Sequence, residues 1–363
     1  MEIDLGEPIH SYGKNSFRLY RIPIPRKGQI TGILGKNGIG KSTSFFILSG
    51  KLPPNLGNYE EEGSYEKAIK KYKGKELYEL FSEIKEKKQQ TSVKPQNVDQ
   101  LPKYFEGNVQ ELLEKINPEK YSNTIRELKL EKITQRKLNQ LSGGELQKVA
   151  IAACTLKKAD TYLIDEPSSF LDIKERLRIA GYIRGISTEE KRIMVMEHDL
   201  ILLDYLSDNI HLLFGEPSVF GAVSNIRPTR EGINTYLEGY LKDENYRFRK
   251  QPIQFEEKGI RESKQQTKLM EWNNFTVKLG SFTLKAEKGE MKTNETIGII
   301  GPNGIGKTTF VKTLAGLITP EEGELNQKIP VSYKPQYIEP IEGMTVEEFL
   351  NQKWTSEIKE AKK

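Results

Sequence analysis

The sequence predicts an α/β fold built as two tandem copies of one unit. Gly35–Thr43 reads GKNGIGKST and Gly301–Thr309 reads GPNGIGKTT. Downstream, Val93–Gln96 reads VKPQ and Tyr333–Gln336 reads YKPQ. Two motif pairs in the same order mark a duplicated unit rather than chance clusters of glycine. Each glycine-rich stretch also follows a short apolar run and precedes a helical pattern, the strand–turn–helix setting of a phosphate-binding loop.

Bulk properties fit this reading. A chain of 363 residues, 36% hydrophobic and 29% charged, has room for two cores. The most apolar runs, Val149–Leu156 and Tyr162–Ile164, fall far short of the ~20 residues that span a bilayer. Met1–Gly6 is acidic and lacks a secretory pattern. The chain is therefore expected in the cytoplasm, without a membrane partner. Its one cysteine, Cys154, lies in an apolar helical pattern and builds neither a disulfide framework nor an iron–sulfur cluster. The three histidines, His10, His198 and His211, are scattered, so no zinc site is expected. A net charge of +5 is a mild tilt that points only weakly to nucleic acid.

The first unit is expected over residues 1–219. Lys41 to Gln96 spans 55 positions and Lys307 to Gln336 only 29, which places an insertion near 60–88 in the first copy. There Leu77, Leu80, Phe81 and Ile84 have helical spacing, and Gly74 divides a helix–loop–helix. Residues 220–268 lose periodicity and are expected as a hinge or linker. Arg247, Arg249 and Lys250 alternate there with Tyr246 and Phe248, a pattern that suits interdomain packing or RNA contact. Residues 269–363 are expected as the N-terminal part of the second unit.

The chemistry resides in the loops. In the first copy, Gly35, Asn37, Gly38 and Gly40 allow a tight turn whose N–H groups converge on phosphate. Lys41 bridges the outer phosphates, the Ser42 hydroxyl ligates magnesium, and Thr43 completes the turn. Gly301, Asn303, Gly304, Gly306, Lys307, Thr308 and Thr309 repeat the set, with Thr308 as metal ligand. Ser142 and Glu145 have capping-box spacing, and Gly143 and Gly144 leave that helix start open to a second phosphate group. The strand beginning at Thr161 ends in Asp165, suited to hold magnesium, and Glu166, suited as the base or water-positioning group. Another strand, Ile193–Met196, ends at His198 on the same edge.

In this order, phosphate loop, glutamine loop, LSGGE, LIDEP, SSFLD and strand-end histidine resemble the motif set of an ABC ATPase cassette, a P-loop NTPase fold with ATP and Mg2+ as cofactors. The resemblance implies tandem cassettes, the second incomplete, with ATP sandwiched between cassettes facing head to tail. It implies catalytic roles for Lys41, Glu166 and His198. It assigns Gln96 and Gln336 to metal and γ-phosphate sensing and Asp172 to coupling between sites. RIPIPRKGQ (Arg21–Gln29), GKLPPNLG (Gly50–Gly57), VKPQNVDQLP (Val93–Pro102), MEHDLILLDYLSD (Met196–Asp208) and EGINTYLEGYLKDEN (Glu231–Asn245) narrow it to the ABC subfamily E ATPases, the ribosome-recycling RNase L inhibitor family. By that resemblance Tyr12 and Phe17 stack on adenine, with Phe282 as the counterpart in the second copy.

The implied function is ATP-driven splitting of ribosomal subunits in recycling and translation. The implied partners are the small ribosomal subunit, through rRNA and proteins, and release or recycling factors. Two departures qualify it. The family's eight-cysteine iron–sulfur domain and the second cassette's later motifs do not occur in these residues. Turnover by this chain alone is therefore expected to be slow, and a second polypeptide completing cassette two is a candidate partner. The competing functions are an ATPase subunit of a membrane transporter and a nucleotide-dependent binding module without efficient turnover.

Overall fold

The computed structural model describes residues 5–254, 267–280, 282–323, 325, 331–334 and 343–349. The chain divides into two compact units, Met1–Gly259 and Ile260–Lys363.

In the first unit, β1 (His10–Ser11) and β2 (Arg18–Tyr20) form an antiparallel pair. β3 (Ile30–Leu34) is buried at all five positions, as an unbroken apolar run requires when both sheet faces are covered. Gly40, at φ 94, then caps α1 (Lys41–Leu48); glycine adopts this left-handed backbone without steric cost. The segment read as an insertion carries α2 (Tyr65–Lys71) and α3 (Glu76–Lys85). These helices bury Ala68, Leu77, Leu80 and Phe81 in one cluster with Phe45 and Ile47 of α1.

β4 (Thr91–Lys94) leads into a helical stretch comprising α4 (Leu101–Tyr104), α5 (Val109–Ile116), α6 (Tyr121–Glu127) and α7 (Gly143–Leu156). α7 starts at Ser142, whose backbone N–H donates to the Glu145 carboxylate at 2.8 Å, and it buries Leu146, Val149, Ala150 and Ala153 along one face. β5 (Thr161–Asp165), α8 (Ile173–Gly185), β6 (Arg192–Met196), α9 (Leu200–Leu206) and β7 (Asn209–Glu216) continue the alternation.

The stretch expected to open a linker is folded onto this unit instead. It forms β8 (Phe220–Val223), β9 (Arg227–Pro228), α10 (Thr229–Glu238), β10 (Tyr240–Leu241) and β11 (Tyr246–Arg247). β8 lies between β7, antiparallel, and β2, parallel, so both of its edges are paired. α10 buries Thr229 and Gly232 and packs the partly buried Ile233 and Tyr236 on the cluster of Leu203, Ile210, Leu212 and Phe214. Arg249 stacks over Tyr236 and Phe248, and Arg247 over Tyr240, so these cations are engaged within the unit. Among the described residues the sheet has nine strands in the order β1-β2-β8-β7-β3-β6-β5-β4, with β9 on β7. The run β7-β3-β6-β5-β4 is parallel throughout, which places the C-terminal ends of β3, β4, β5 and β6 on one edge.

In the second unit, β12 (Lys268–Trp272) pairs with β15 (Gly289–Lys292) and β13 (Phe275–Leu279) with β14 (Phe282–Ala286), all antiparallel, followed by α11 (Lys307–Leu314). Met270, Trp272, Phe275 and Val277 form its core against Phe310 and Leu314. The strand expected before the second glycine loop is not formed. Residues 296–300 (TIGII) correspond to ITGIL of β3, yet no described strand pairs with them. Ile297, Ile299 and Ile300 are 46%, 42% and 86% exposed, whereas Ile30, Ile33 and Leu34 are at most 1% exposed between β6 and β7. An apolar run becomes a buried strand only where neighbours take up its backbone groups.

Candidate active site

The parallel edge gathers the first copy's residues around one cavity of about 490 Å³. Lys41, Ser42 and Thr43 enter from the start of α1, with Asn37, Gly38 and Gly40 in the preceding turn, and Tyr12 and Phe17 also line it. Gln96 enters from the end of β4, Asp165 and Glu166 from the end of β5. His198 follows β6, its Nε2 3.5 Å from Glu166 Oε1.

The Lys41 ammonium lies within reach of the Gly35 carbonyl (3.2 Å), Asn37 Oδ1 (3.1 Å) and His198 Nε2 (2.5 Å). Burial lowers the lysine pKa from its usual value, partly offset by the carboxylates of Glu166, Asp165 and Glu197. Burial also lowers that of His198, and the Lys41 charge adds to the effect. Asp165 is pushed up to about 6, first by burial and then by the Glu166 charge. A desolvated carboxylate of this kind gains from a cation beside it.

Glu166 is the centre of the arrangement. Its carboxylate accepts from Gln96 Nε2 at 2.9 Å and from the Ser169 hydroxyl at 3.1 Å. Its backbone sits at φ 44, a left-handed conformation that a non-glycine residue keeps only when its surroundings hold it. Sequence reasoning missed three of the residues that hold this region. Lys94, fully buried, donates to the Asp165 carbonyl at 2.6 Å, and burial brings its pKa down to about 8. Gln147 donates to the Glu166 carbonyl at 2.6 Å. Glu197, 3% exposed, accepts the amides of Ser168 (3.2 Å), His198 (2.8 Å) and Asp199 (3.2 Å), tying the turn after β5 to the turn after β6. The visible signal was a charged residue at a strand's end: Lys94 closes β4 and Glu197 follows β6.

The aromatic positions have distinct surroundings. The Tyr12 ring is half exposed, and its hydroxyl lies 3.2 Å from Thr43 Oγ1. The Phe17 ring packs on Gly40, where an added methyl would lie 2.8 Å from it. Phe282 packs on Gly306 in the same way, with the same 2.8 Å. In that second loop Lys307 donates to the carbonyls of Gly301 (2.6 Å) and Pro302 (2.7 Å), while Thr308 and Thr309 lie on the first turn of α11. Asn303 and Gly304 complete the loop, with Gly304 at φ 78.

Ser142, Gly143, Gly144 and Glu145 line no part of the Lys41 cavity. Asp172 caps α8, accepting the Glu175 amide at 2.9 Å. Gln336 lies outside the described residues. Cys154 is buried beside Ser92, and burial pushes its thiol up to about 11.

The chain is similar in sequence and fold to known proteins. A family model described as ABC transporter matches residues 25–169 and 284–361. An uncharacterized ABC transporter ATP-binding protein of Methanocaldococcus jannaschii is 48% identical over 96% of this chain and 58% of its own length. ABC transporter E family member 1 of Arabidopsis thaliana is 41% identical over 96% of this chain and 59% of its own. A structure described as a model of ribosome-bound archaeal Pelota and ABCE1 superposes with a TM-score of 0.91 at 47% identity, covering 99% of this chain and 60% of that one. The chain thus spans under two thirds of these relatives' length. The matched residues include the loop at Lys41 and the acids at Asp165 and Glu166, and on this ground the chain belongs to the ABC transporter family of ATP-binding proteins, in its subfamily E.

Proposed function

We propose that the chain binds magnesium-ATP around Lys41 and hydrolyses it, within a twin-cassette protein that acts on ribosomes during recycling and translation. The observation that carries this is the convergence of Lys41, Gln96, Asp165 and Glu166 on one cavity, with His198 from a fourth strand end 3.5 Å from the Glu166 carboxylate. The donor set suits magnesium, which is usually held by one or two carboxylates together with phosphates and water. Ser42, Gln96 and Asp165 would hold it in the first copy and Thr308 and Gln336 in the second. Bound there, the ion would neutralise charge on the outer phosphate oxygens.

The protein's own groups account for the remaining steps. Lys41 exchanges its carbonyl and imidazole contacts for the phosphate tail, and the N–H groups of the glycine turn add donors that need no reorganisation. Tyr12 and Phe17, with Phe282 in the second copy, offer faces for adenine. Glu166, aimed by Gln96 and Ser169, orients and deprotonates the attacking water, and His198 contacts the γ-phosphate. The open helix start at Ser142–Glu145 suits a phosphate presented by another cassette, and Asp172 suits coupling between sites. Action on ribosomes rests on the relative described as ribosome-bound with Pelota, and the matching partners are the small ribosomal subunit and recycling factors in the cytoplasm. Among the described residues no helix is long and apolar enough to cross a membrane.

Purified chain should retain magnesium-ATP, and Lys41→Ala with Lys307→Ala should abolish retention; unchanged retention removes the nucleotide reading. Small ribosomal subunits should co-sediment the chain more strongly with a non-hydrolysable ATP analogue. Equal sedimentation with and without nucleotide would argue against ATP-driven action on ribosomes.

A further inference from the structure

We infer that the backbone carbonyl of Glu166 is a junction through which two separate elements aim the hydrolytic carboxylate, with Lys94 and Gln147 as positioning residues. This rests on the ATPase reading above and deepens it. Three donors reach that one oxygen: Gln147 Nε2 at 2.6 Å, Lys94 Nζ at 3.4 Å and the Ser169 amide at 3.4 Å. Lys94 also holds the neighbouring Asp165 carbonyl at 2.6 Å. The glutamate so held is the one at φ 44, where turning the peptide by a few tens of degrees would swing its carboxylate away from Gln96 and His198.

Packing alone does not explain these side chains. Both Lys94 and Gln147 are 0% exposed. Gln147 leaves its Oε1 buried with no hydrogen-bond partner, a cost that methionine at the same position would avoid. Lys94 buries an ammonium whose bonds go to main-chain carbonyls rather than to a carboxylate. Buried polar groups kept at such a cost need a reason beyond filling space.

Their places in the chain supply one. Lys94 ends β4, two residues before Gln96, which touches the Glu166 carboxylate directly. Gln147 lies on α7, about one and a half turns beyond the helix start at Ser142. A shift of α7 when a phosphate meets its N-terminus would therefore pull on the Glu166 peptide, and a shift of the Gln96 turn would do so through Lys94.

The test uses the whole chain with Gln147→Met, Gln147→Glu, Lys94→Met and the double variant Lys94→Met with Gln147→Met, measuring kcat, KM for ATP and amide hydrogen exchange. Each single variant should lower kcat at least tenfold with KM within twofold. The double variant should fall little below the worse single one, because both residues act on one peptide group. A merely structural role would lower the melting temperature and leave kcat near wild type, and that result overturns the proposal, as does a raised KM with kcat unchanged. The ATPase reading itself fails if the wild-type chain does not retain magnesium-ATP; if it retains ATP but turns over too slowly to compare, exchange at the Glu166 and Ser168–Leu171 amides decides on the junction. Exchange at least tenfold faster there in the variants, with β3 and β6 unchanged, supports it; unchanged exchange overturns it. Should Lys94→Met not fold, the two Gln147 variants carry the same test.

Discussion

The imidazole of His211 accepts the backbone amide of Ile24 at 3.1 Å through Nε2, which fixes the neutral tautomer with its proton on Nδ1, donated to the Ser224 carbonyl at 2.8 Å. Burial holds this histidine down to about 4. The folded ring thus stays neutral to that pH, whereas the unfolded one takes up a proton near pH 6.5. Its contribution is intact above pH 6.5 and lost as pH falls from 6.5 to 4. The loss should total about 3 kcal/mol. Denaturant unfolding at pH 7 and pH 4.5 should show this for the wild type, and His211→Gln should flatten that part of the profile. An identical slope in the variant would assign the acid sensitivity elsewhere.

Asp165 gives a second pH dependence. With its carboxyl pushed up to about 6, it is largely protonated below that pH, and a metal ligand must be deprotonated to bind. Magnesium-dependent nucleotide affinity should weaken on acidification through pH 6, by up to about tenfold per unit. Nucleotide itself titrates in this range, so Asp165→Asn serves as the reference: its weaker binding should show a shallower pH dependence. Binding isotherms at pH 5, 6 and 7.5 with and without magnesium measure both.

Much of the site was legible because motif residues sit at strand ends, and a parallel sheet collects strand ends on one edge. Lys41, Asp165, Glu166 and His198 could be placed from apolar runs and the loops after them, and Gln96 from the repeated KPQ together with the family resemblance. Lys94, Gln147 and Glu197 could not. They act on main-chain atoms 72, 19 and 29 positions away, and no side-chain pattern encodes such contacts. Residues 220–247 are harder to read: α10 and the short strands around it combine a few apolar contacts, such as Ile233, Tyr236 and Leu241, with strand pairing and stacked arginines, which leaves no long periodic pattern. The TIGII run shows the converse: among the described residues no strand pairs with it, and a strand pattern needs partners for its backbone groups.

Arg227 is 9% exposed and bonds Asp243 at 2.6 Å, Glu231 at 3.1 Å and Glu244 at 3.5 Å. Glu244 is itself 8% exposed, and its Oε1 accepts the Asn225 amide at 3.0 Å. Arg227→Met should destabilise the first unit by about 3 kcal/mol, because it leaves the buried Glu244 paired only with the more exposed Arg21, at 3.6 Å. Adding Glu244→Gln should recover part of the loss, since the uncompensated charge then disappears. Thermal melts of the three proteins decide this; a single variant as stable as wild type would show that solvent reaches Glu244.

Gly221 on β8 tests how closely the misread segment presses on the phosphate loop. A methyl group there would lie 1.9 Å from the Ile39 carbonyl oxygen and 3.2 Å from the Phe17 ring. Ile39 belongs to the glycine turn before Lys41, so either β8 or that turn must move. Gly221→Ala should lower nucleotide affinity at least tenfold along with the melting temperature. Gly74→Ala is the matched control. Its φ of 79 also disfavours a side chain, but nothing lies within 4 Å of the added methyl, so it should cost about 1 kcal/mol of stability and leave nucleotide binding alone. Equal effects of the two substitutions on affinity would mean that the loop absorbs the clash and that β8 does not set its shape.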